Sequence, residues 1–210
     1  KTTLVRALAS TMSIHESILV IEDTPEIILE HPHVRYVYTR EVNSDGAGRV
    51  TPAQCIRAGM RMAMNRIIFG EMRDAEAAEA FIDVCASGHP GLSTIHARSA
   101  TEAISRLELF LGRVQKGVTR SVTYDQISKS VQVIVFLGIC SVTGKRRIME
   151  VKEIGSVSEG VIRHRDIFVY RALDGFPTWQ VPTRASVQRE ALMELGVKMN
   201  EIPDVVTFNK

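Results

Sequence analysis

The chain has 210 residues, of which 45% are hydrophobic and 24% are charged; this composition excludes a disordered, collagen-like or small disulfide-rich protein. With 26 basic and 24 acidic residues the net charge is +2, so composition gives no general reason to bind nucleic acid or a membrane surface. The three cysteines are too scattered for a zinc site or a disulfide framework, and the longest apolar run, Val133–Cys140, is far shorter than the roughly 20 residues of a membrane-spanning helix.

The first third of the chain alternates between helical and strand patterns. The Ala- and Leu-rich segment Thr2–Ser10 predicts a helix, and the β-branched runs Ile18–Ile21 and Val34–Tyr38 predict strands. Residues 43–48 (NSDGAG) predict a turn. A helix is expected to follow, because TPAQ at residues 51–54 combines an N-cap threonine, a proline suited to the first helical position and a capping-box glutamine.

The pattern continues to about residue 171. We expect the helix that starts near Thr51 to present Ile56, Met60 and Met64 on one apolar face. Val131–Leu137 is apolar enough for a central strand, and the later apolar runs predict further strands at one end of the same sheet. The other elements predicted are strands at Ile67–Phe69 and Leu92–Ile95, helices at Asp74–Ala86 and from Ser99 (a second capping box, with Glu102), and strands at Ile148–Ile154, Val161–Ile162 and Ile167–Tyr170.

This alternation predicts an α/β fold with a mostly parallel sheet and helices on both faces. The pattern changes after Arg171, where residues 174–177 (DGFP) predict a turn and Arg184–Leu195 predicts a short helix. We therefore expect a core at residues 1–171 and a C-terminal appendage at residues 172–210.

Polar side chains suited to catalysis follow three of the predicted strands. Glu22, Glu71 and His96 each come at or just after a strand end, and ligands of open α/β sheets bind beyond the carboxyl ends of the strands. Each residue alone is more often a solvated strand end or a structural histidine. Together they predict a site at one edge of the sheet.

The chain begins with Lys1, Thr2 and Thr3 ahead of the first helix, which matches the end of a phosphate-binding loop, G-x-x-x-x-G-K-[ST]. In that loop, backbone N–H groups at a helix N-terminus bind phosphate, the lysine reaches the β and γ phosphates and the next hydroxyl binds Mg²⁺. The glycines and the strand before them would precede Lys1. We therefore expect an N-terminally incomplete P-loop core that does not hydrolyse ATP at a useful rate on its own.

Three further motifs lie at residues 21–26 (IEDTPE), 67–74 (IIFGEMRD) and 88–97 (GHPGLSTIHA). In that order they resemble the acidic box, the atypical Walker B motif and the histidine box of the secretion-superfamily ATPases, the ring-forming motors of type IV pili, type II and type IV secretion, and conjugation. The order and spacing of the motifs match the family from Lys1 to about Tyr170. The residues around the motifs are most similar to those of the tight-adherence pilus and conjugative-transfer branch. The resemblance implies a RecA-like P-loop ATPase core.

The resemblance also implies roles for individual residues. Glu22 would be the general base or would orient water, Glu71 would hold Mg²⁺ through water, together with Thr2, and His96 would contact the γ-phosphate. Arg35 and Arg40 resemble family arginines that reach nucleotide, sometimes across a subunit interface; surface salt bridging is the alternative. The residues expected to bind nucleotide are Lys1, Thr2, Thr3, Arg35, Arg40 and Arg73.

The function that the resemblance implies is Mg²⁺-dependent ATP hydrolysis by a ring, expected to be a hexamer. The ring would act on an inner-membrane platform protein from the cytoplasmic side and power pilus assembly, protein secretion or conjugative DNA transfer, without binding nucleic acid directly. Two alternatives stay open. One is a RecA-like nucleic-acid motor such as a helicase, and the other is a non-catalytic, nucleotide-binding ring subunit that serves as a scaffold.

Overall fold

The computed structural model describes residues 1–173, 176–180, 186 and 188–198. The chain divides into two compact units, the first made of Lys1–His96 and Ser105–Ser130 and the second of Ala97–Ile104 and Val131–Lys210. The extent of the functional core, which the sequence puts at residues 1–171, stays a prediction.

The first unit contains a four-stranded parallel sheet. Its strands are β1 (Ile18–Glu22), β2 (Val34–Tyr38), β3 (Arg66–Phe69) and β4 (Gly91–Ser93), in the order β2-β1-β3-β4. All five residues of β1 are buried, because the strand lies between two neighbours and has helices on both faces. The parallel sheet expected from the sequence is confirmed, and its central strand ends on Glu22.

Helices cover both faces of this sheet. Helix α1 (Thr2–Ala9) packs its buried residues against Ile18 and Val20. Helix α2 (Pro52–Gly59) covers the opposite face, where Gly59 approaches β1 so closely that a Cβ there would lie 2.3 Å from Leu19 Cδ2. Alternate residues of β1 therefore pack against different helices.

The capping box of α2 forms as the sequence predicts. The Gln54 N–H donates to Thr51 Oγ1 at 3.2 Å, and the Thr51 N–H donates to Gln54 Oε1 at 2.8 Å. The expected continuation of its apolar face to Met64 is wrong, because α2 ends at Gly59. Ala63 has a φ of 51°, a left-handed conformation that interrupts a helix. Met64 is nevertheless buried, at the start of the approach to β3.

Three more helices belong wholly or partly to the first unit: α3 (Ala75–Ala86), α4 (Ala100–Val114) and α5 (Arg120–Ser130). The sequence did not predict α5, since only a few of its residues are apolar and they do not follow a helical stripe. Its buried face is half polar and consists of Thr123, Tyr124, Ile127 and Ser130. Its last residue, Ser130, donates its hydroxyl to the carbonyl of Ile82 on α3 at 3.1 Å.

The second unit contains a separate antiparallel sheet. Its strands are β5 (Val133–Ile139), β6 (Arg146–Ser158), β7 (Val161–Leu173) and β8 (Phe176–Gln180), paired in chain order. The expectation that Val131–Leu137 forms a central strand of the parallel sheet is wrong, because β5 is an edge strand here. The connections between β5 and β8 are short, so these strands pair antiparallel with one another, since a parallel pair needs a crossover of a dozen or more residues.

The C-terminal predictions are only partly covered by the described residues. Helix α6 (Arg189–Glu194) lies inside the helix expected over Arg184–Leu195, whose first residues fall outside the described part. Of the turn predicted at residues 174–177, positions 174 and 175 also fall outside it, and the other two begin β8. No helix in the part of the chain that the structure describes is long and apolar enough to cross a membrane.

Candidate functional site

A cleft of about 240 Å³ opens at the carboxyl ends of β1, β3 and β4, beside the N-terminus of α1. This is the edge at which parallel α/β sheets bind ligands. The residues predicted for the site that line the cleft are Lys1, Thr2, Glu22, Glu71, Arg73 and His96.

Glu71 lies at the centre of the cleft and collects three basic side chains. Its Oε1 accepts a hydrogen bond from Lys1 Nζ and lies 2.9 Å from His96 Nε2, and its Oε2 accepts from Arg73 Nε at 2.6 Å. Burial opposes ionisation of this carboxyl, but the hydrogen bonds from Lys1 and Arg73 outweigh it and lower its pKa. Glu71 is therefore an anion held between the cationic side chains of Lys1 and Arg73.

Arg73 connects the loop after β3 to the acidic segment after β1. Its NH1 lies 3.5 Å from Asp23 Oδ2, and Asp23 Oδ1 accepts from the hydroxyl of Thr39 at 2.7 Å. The Arg73 side chain is 64% exposed. Its observed contacts are to carboxylates, and a contact with nucleotide stays a prediction.

Glu22 is the most deeply buried acid of the cleft, with 5% of its surface exposed. Its carboxylate accepts the backbone N–H groups of Glu26, at 3.2 Å, and Ile27, at 3.0 Å. Burial raises the pKa of Glu22 although these two hydrogen bonds act in the opposite direction. The side chain thus anchors the loop that follows β1 and keeps an affinity for a proton.

Sequence reasoning missed Glu26, whose Oε2 accepts a hydrogen bond from the hydroxyl of Thr2 at 3.2 Å. The prediction from the sequence rested on acids at strand ends, and Glu26 lies four residues beyond the end of β1. The loop returns it to the cleft because Glu22 holds the backbone of residues 26 and 27. Its place as the last residue of the IEDTPE motif was the signal available.

Three of the predicted nucleotide-binding residues do not line this cleft. Thr3 is exposed on α1. Arg35 lines a groove at the other end of the strands, together with Met62, and Arg40 donates from Nε to the carbonyl of Gly48 at 2.6 Å. Contacts between these residues and nucleotide stay predictions.

The cleft offers groups of the kinds that bind phosphates and Mg²⁺. Lys1 is the N-cap of α1 but its side chain makes no capping hydrogen bond, so the N–H groups of the first turn remain donors for an anion. Cationic groups for phosphate come from Lys1 and Arg73. Oxygen ligands, which Mg²⁺ prefers, come from Thr2, Glu26 and Glu71.

The chain matches one protein family and has relatives among known proteins. The family model for type II/IV secretion system proteins matches residues 1–164. A Mycobacterium tuberculosis protein with the provisional name of conjugal transfer protein is 32% identical over 170 residues, which are 79% of this chain and 47% of that protein. The chain therefore spans less than half the length of that relative.

Solved structures match as well. The crystal structure of the VirB11 ATPase from the Brucella suis type IV secretion system, in complex with sulphate, has a TM-score of 0.62 and 31% identity, over 71% of this chain and 44% of that one. The pilus retraction motor PilT with bound ADP shares the fold, with a TM-score of 0.53 and 21% identity over 95% of this chain and 50% of that one.

Proposed function

Because the chain belongs to the type II/IV secretion system protein family, as its motifs indicate, we propose that the full-length protein is a Mg²⁺-dependent ATPase. The observation that carries the proposal is the convergence of Lys1, Arg73 and His96 on Glu71 beside the N-terminus of α1. Phosphoryl transfer depends mainly on positioning the reactants and on stabilising charge. This cleft brings basic side chains and carboxylates together in one place.

In this proposal each side chain of the cleft has a separate role. Lys1 and the first turn of α1 bind the β and γ phosphates, and His96 contacts the γ-phosphate. Thr2 and Glu71 hold Mg²⁺, which when bound neutralises charge on the phosphates. Glu22, with its raised pKa, takes the proton of the attacking water or orients that water.

We further propose that the protein acts as a ring, expected to be a hexamer. Arg35 and Arg40 are exposed and do not line the cleft of their own chain. In a ring, Arg35 would approach the nucleotide of a neighbour, and Arg40 would do so after leaving the Gly48 carbonyl. An arginine supplied in this way raises the rate of comparable reactions by about 10³–10⁵-fold. The ring would work on the cytoplasmic side of the inner membrane, through a platform protein, in secretion, pilus assembly or conjugative transfer.

The test is phosphate release from ATP by the full-length protein, with and without Mg²⁺. We expect Mg²⁺-dependent turnover that rises with protein concentration. Glu71→Gln should lower it by about 10²-fold or more, while Glu76→Gln, on the exposed surface of α3, should leave it unchanged.

The two alternative functions give different results. Nucleotide binding without turnover in the wild type, measured with a fluorescent ADP analogue, would favour the non-catalytic ring subunit. A salt-dependent affinity for single-stranded DNA, with turnover stimulated by that DNA, would favour the nucleic-acid motor.

A further inference from the structure

Thr94, the residue after β4, holds the backbone on both sides of Glu71. Its hydroxyl donates to the carbonyl of Gly70 at 2.7 Å, and its own carbonyl accepts the N–H of Met72 at 2.8 Å. We propose that Thr94 is a positioning residue that fixes the orientation of Glu71. The inference rests on the proposed function, since it assigns a role in the same cleft.

The contact is needed because the strand ladder stops short of Glu71. The last paired residues of β3 and β4 are Phe69 and Ser93. On the other side, the Gly70 N–H still donates to the Ile21 carbonyl of β1 at 2.9 Å, so the strand pairing ends one residue before Glu71. The two hydrogen bonds of Thr94 extend the connection between these strands past the end of the ladder. They span the one residue, Glu71, on which the basic side chains converge.

Gly70 makes such an anchor more important. A Cβ at this position would lie 3.2 Å from Glu22 Cγ and 3.5 Å from the carbonyl oxygen of Ile21, so the close approach of the two loops favours a residue without a side chain. Glycine has the largest backbone freedom of any residue. A hydrogen bond to its carbonyl therefore removes freedom next to Glu71.

The side chains that contact Glu71 directly are poor anchors. The side chains of Arg73 and His96 are 64% and 72% exposed, and long exposed side chains gain little from being held in one geometry. Lys1 is expected to contact phosphate. Thr94 is half-buried, and both of its bonds go to backbone atoms. Thr94 is therefore better placed to hold the backbone that carries Glu71, and so to set its orientation.

The test compares Thr94→Val, which keeps the shape but removes the hydroxyl, with Thr94→Ser, which keeps the hydroxyl, in the full-length protein. Ser93→Ala is the matched control, because the hydroxyl of Ser93 is buried and has no hydrogen-bond partner among the described residues. Thr94→Val should lower kcat by about 10- to 100-fold with little change in KM for ATP. Thr94→Ser should restore kcat, and Ser93→Ala should not change it.

Hydrogen exchange of the backbone amides gives a readout that does not depend on turnover. Thr94→Val keeps the backbone carbonyl that accepts the Met72 N–H but removes the bond to Gly70 on the other side of Glu71, so the loop should open more often. The Met72 amide should then exchange faster in Thr94→Val than in the wild type or in Thr94→Ser, while exchange in β1 stays the same. Exchange at Met72 that does not change in Thr94→Val overturns the proposal, whatever the activity. A raised KM at unchanged kcat also overturns it, since Thr94 would then contact the nucleotide itself.

The two proposals fail in different ways. A wild-type protein without ATP turnover contradicts the proposed function, but amide exchange at Met72 still decides whether Thr94 holds this loop. Normal turnover in both the wild type and Thr94→Val supports the ATPase and removes Thr94 from its mechanism.

Discussion

Replacing Glu22 separates two roles that the structure assigns to one carboxylate. The side chain accepts the backbone N–H groups of Glu26 and Ile27, and it is also the proposed base. Both N–H groups reach the same oxygen, Oε1, so Glu22→Gln keeps an oxygen that can accept both of them but removes the negative charge. Glu22→Ala removes both the base and the anchor.

The sizes of the two effects differ. A hydrogen bond to a charged group stabilises by about 1.5–3 kcal/mol and a neutral one by about 1 kcal/mol, so loss of charge weakens the anchor by about 1–2 kcal/mol. The neutral side chain is easier to bury, which offsets part of this. Glu22→Ala leaves two N–H groups without an acceptor, at about 1–3 kcal/mol each. We expect free energies of unfolding lower by about 1 kcal/mol for Glu22→Gln and by about 3 kcal/mol or more for Glu22→Ala.

The pH dependence gives an independent check. Because burial raises the pKa of Glu22, the bound proton stabilises the fold below the ordinary glutamate pKa, and this stability is lost as the pH rises through the raised pKa. Glu22→Gln should remove that part of the pH dependence. For the same reason, the acidic limb of the pH–rate profile of the wild type should lie above the ordinary glutamate pKa.

The assays are urea unfolding across a pH series and ATP turnover of the full-length protein. Removal of a general base lowers rates by about 10²–10⁴-fold, so Glu22→Gln should be almost inactive while remaining folded. A Glu22→Gln protein that turns over ATP at close to the wild-type rate would refute the role as a base. It would leave Glu22 as the anchor of its loop.

Two further predictions concern stability. Gly59→Ala should lower the free energy of unfolding by about 1–2 kcal/mol, because overpacking against the buried Leu19 costs more than alanine contributes to the helix. Gly112→Ala, with open space around it in α4, should raise the free energy of unfolding by about 0.5–1 kcal/mol. Equal shifts of the urea midpoint for the two variants would contradict this reasoning. Arg66 binds both oxygens of Glu16, at 2.6 and 2.9 Å, and lowers its pKa. Glu16→Gln should therefore lose about 0.5–1 kcal/mol at pH 7 and almost nothing at a pH below the lowered pKa, where the wild-type carboxyl is also neutral; a loss independent of pH would show that charge is not its source.

The sequence predicted the parallel sheet and the centre of the cleft because both depend on local patterns. Short β-branched runs mark β1 and β3, and the acids that follow them come together once the strands pair in parallel. No long-range information is needed for Glu22 or Glu71. Each is identified by its position next to a strand.

The features that the sequence did not reveal depend on contacts between distant residues. Helix α5 buries a face that is half polar, with Thr123 and Ser130 beside Tyr124 and Ile127, so its sequence shows no apolar stripe. The Ser130 hydroxyl finds its acceptor only on Ile82 of α3. The residues Glu26 and Thr94 act through hydrogen bonds to Thr2 and Gly70, which become visible only when loops from different strands meet. The antiparallel pairing of β5 to β8 follows from the short connections between these strands. The sequence prediction used the apolar runs and took no account of the connection lengths.

Folding kinetics should differ between the two sheets. Strands β6 and β7 meet through a turn at Glu159 and Gly160, both with positive φ, and hairpins of this kind close in about 1–10 μs. The parallel pairs join residues as distant as Ile18 and Arg66, and such contacts form slowly because long loops must close first. Since the cleft takes side chains from three parallel strands, we expect nucleotide binding to appear only with the slowest refolding phase, where it can serve as a reporter of a completed sheet.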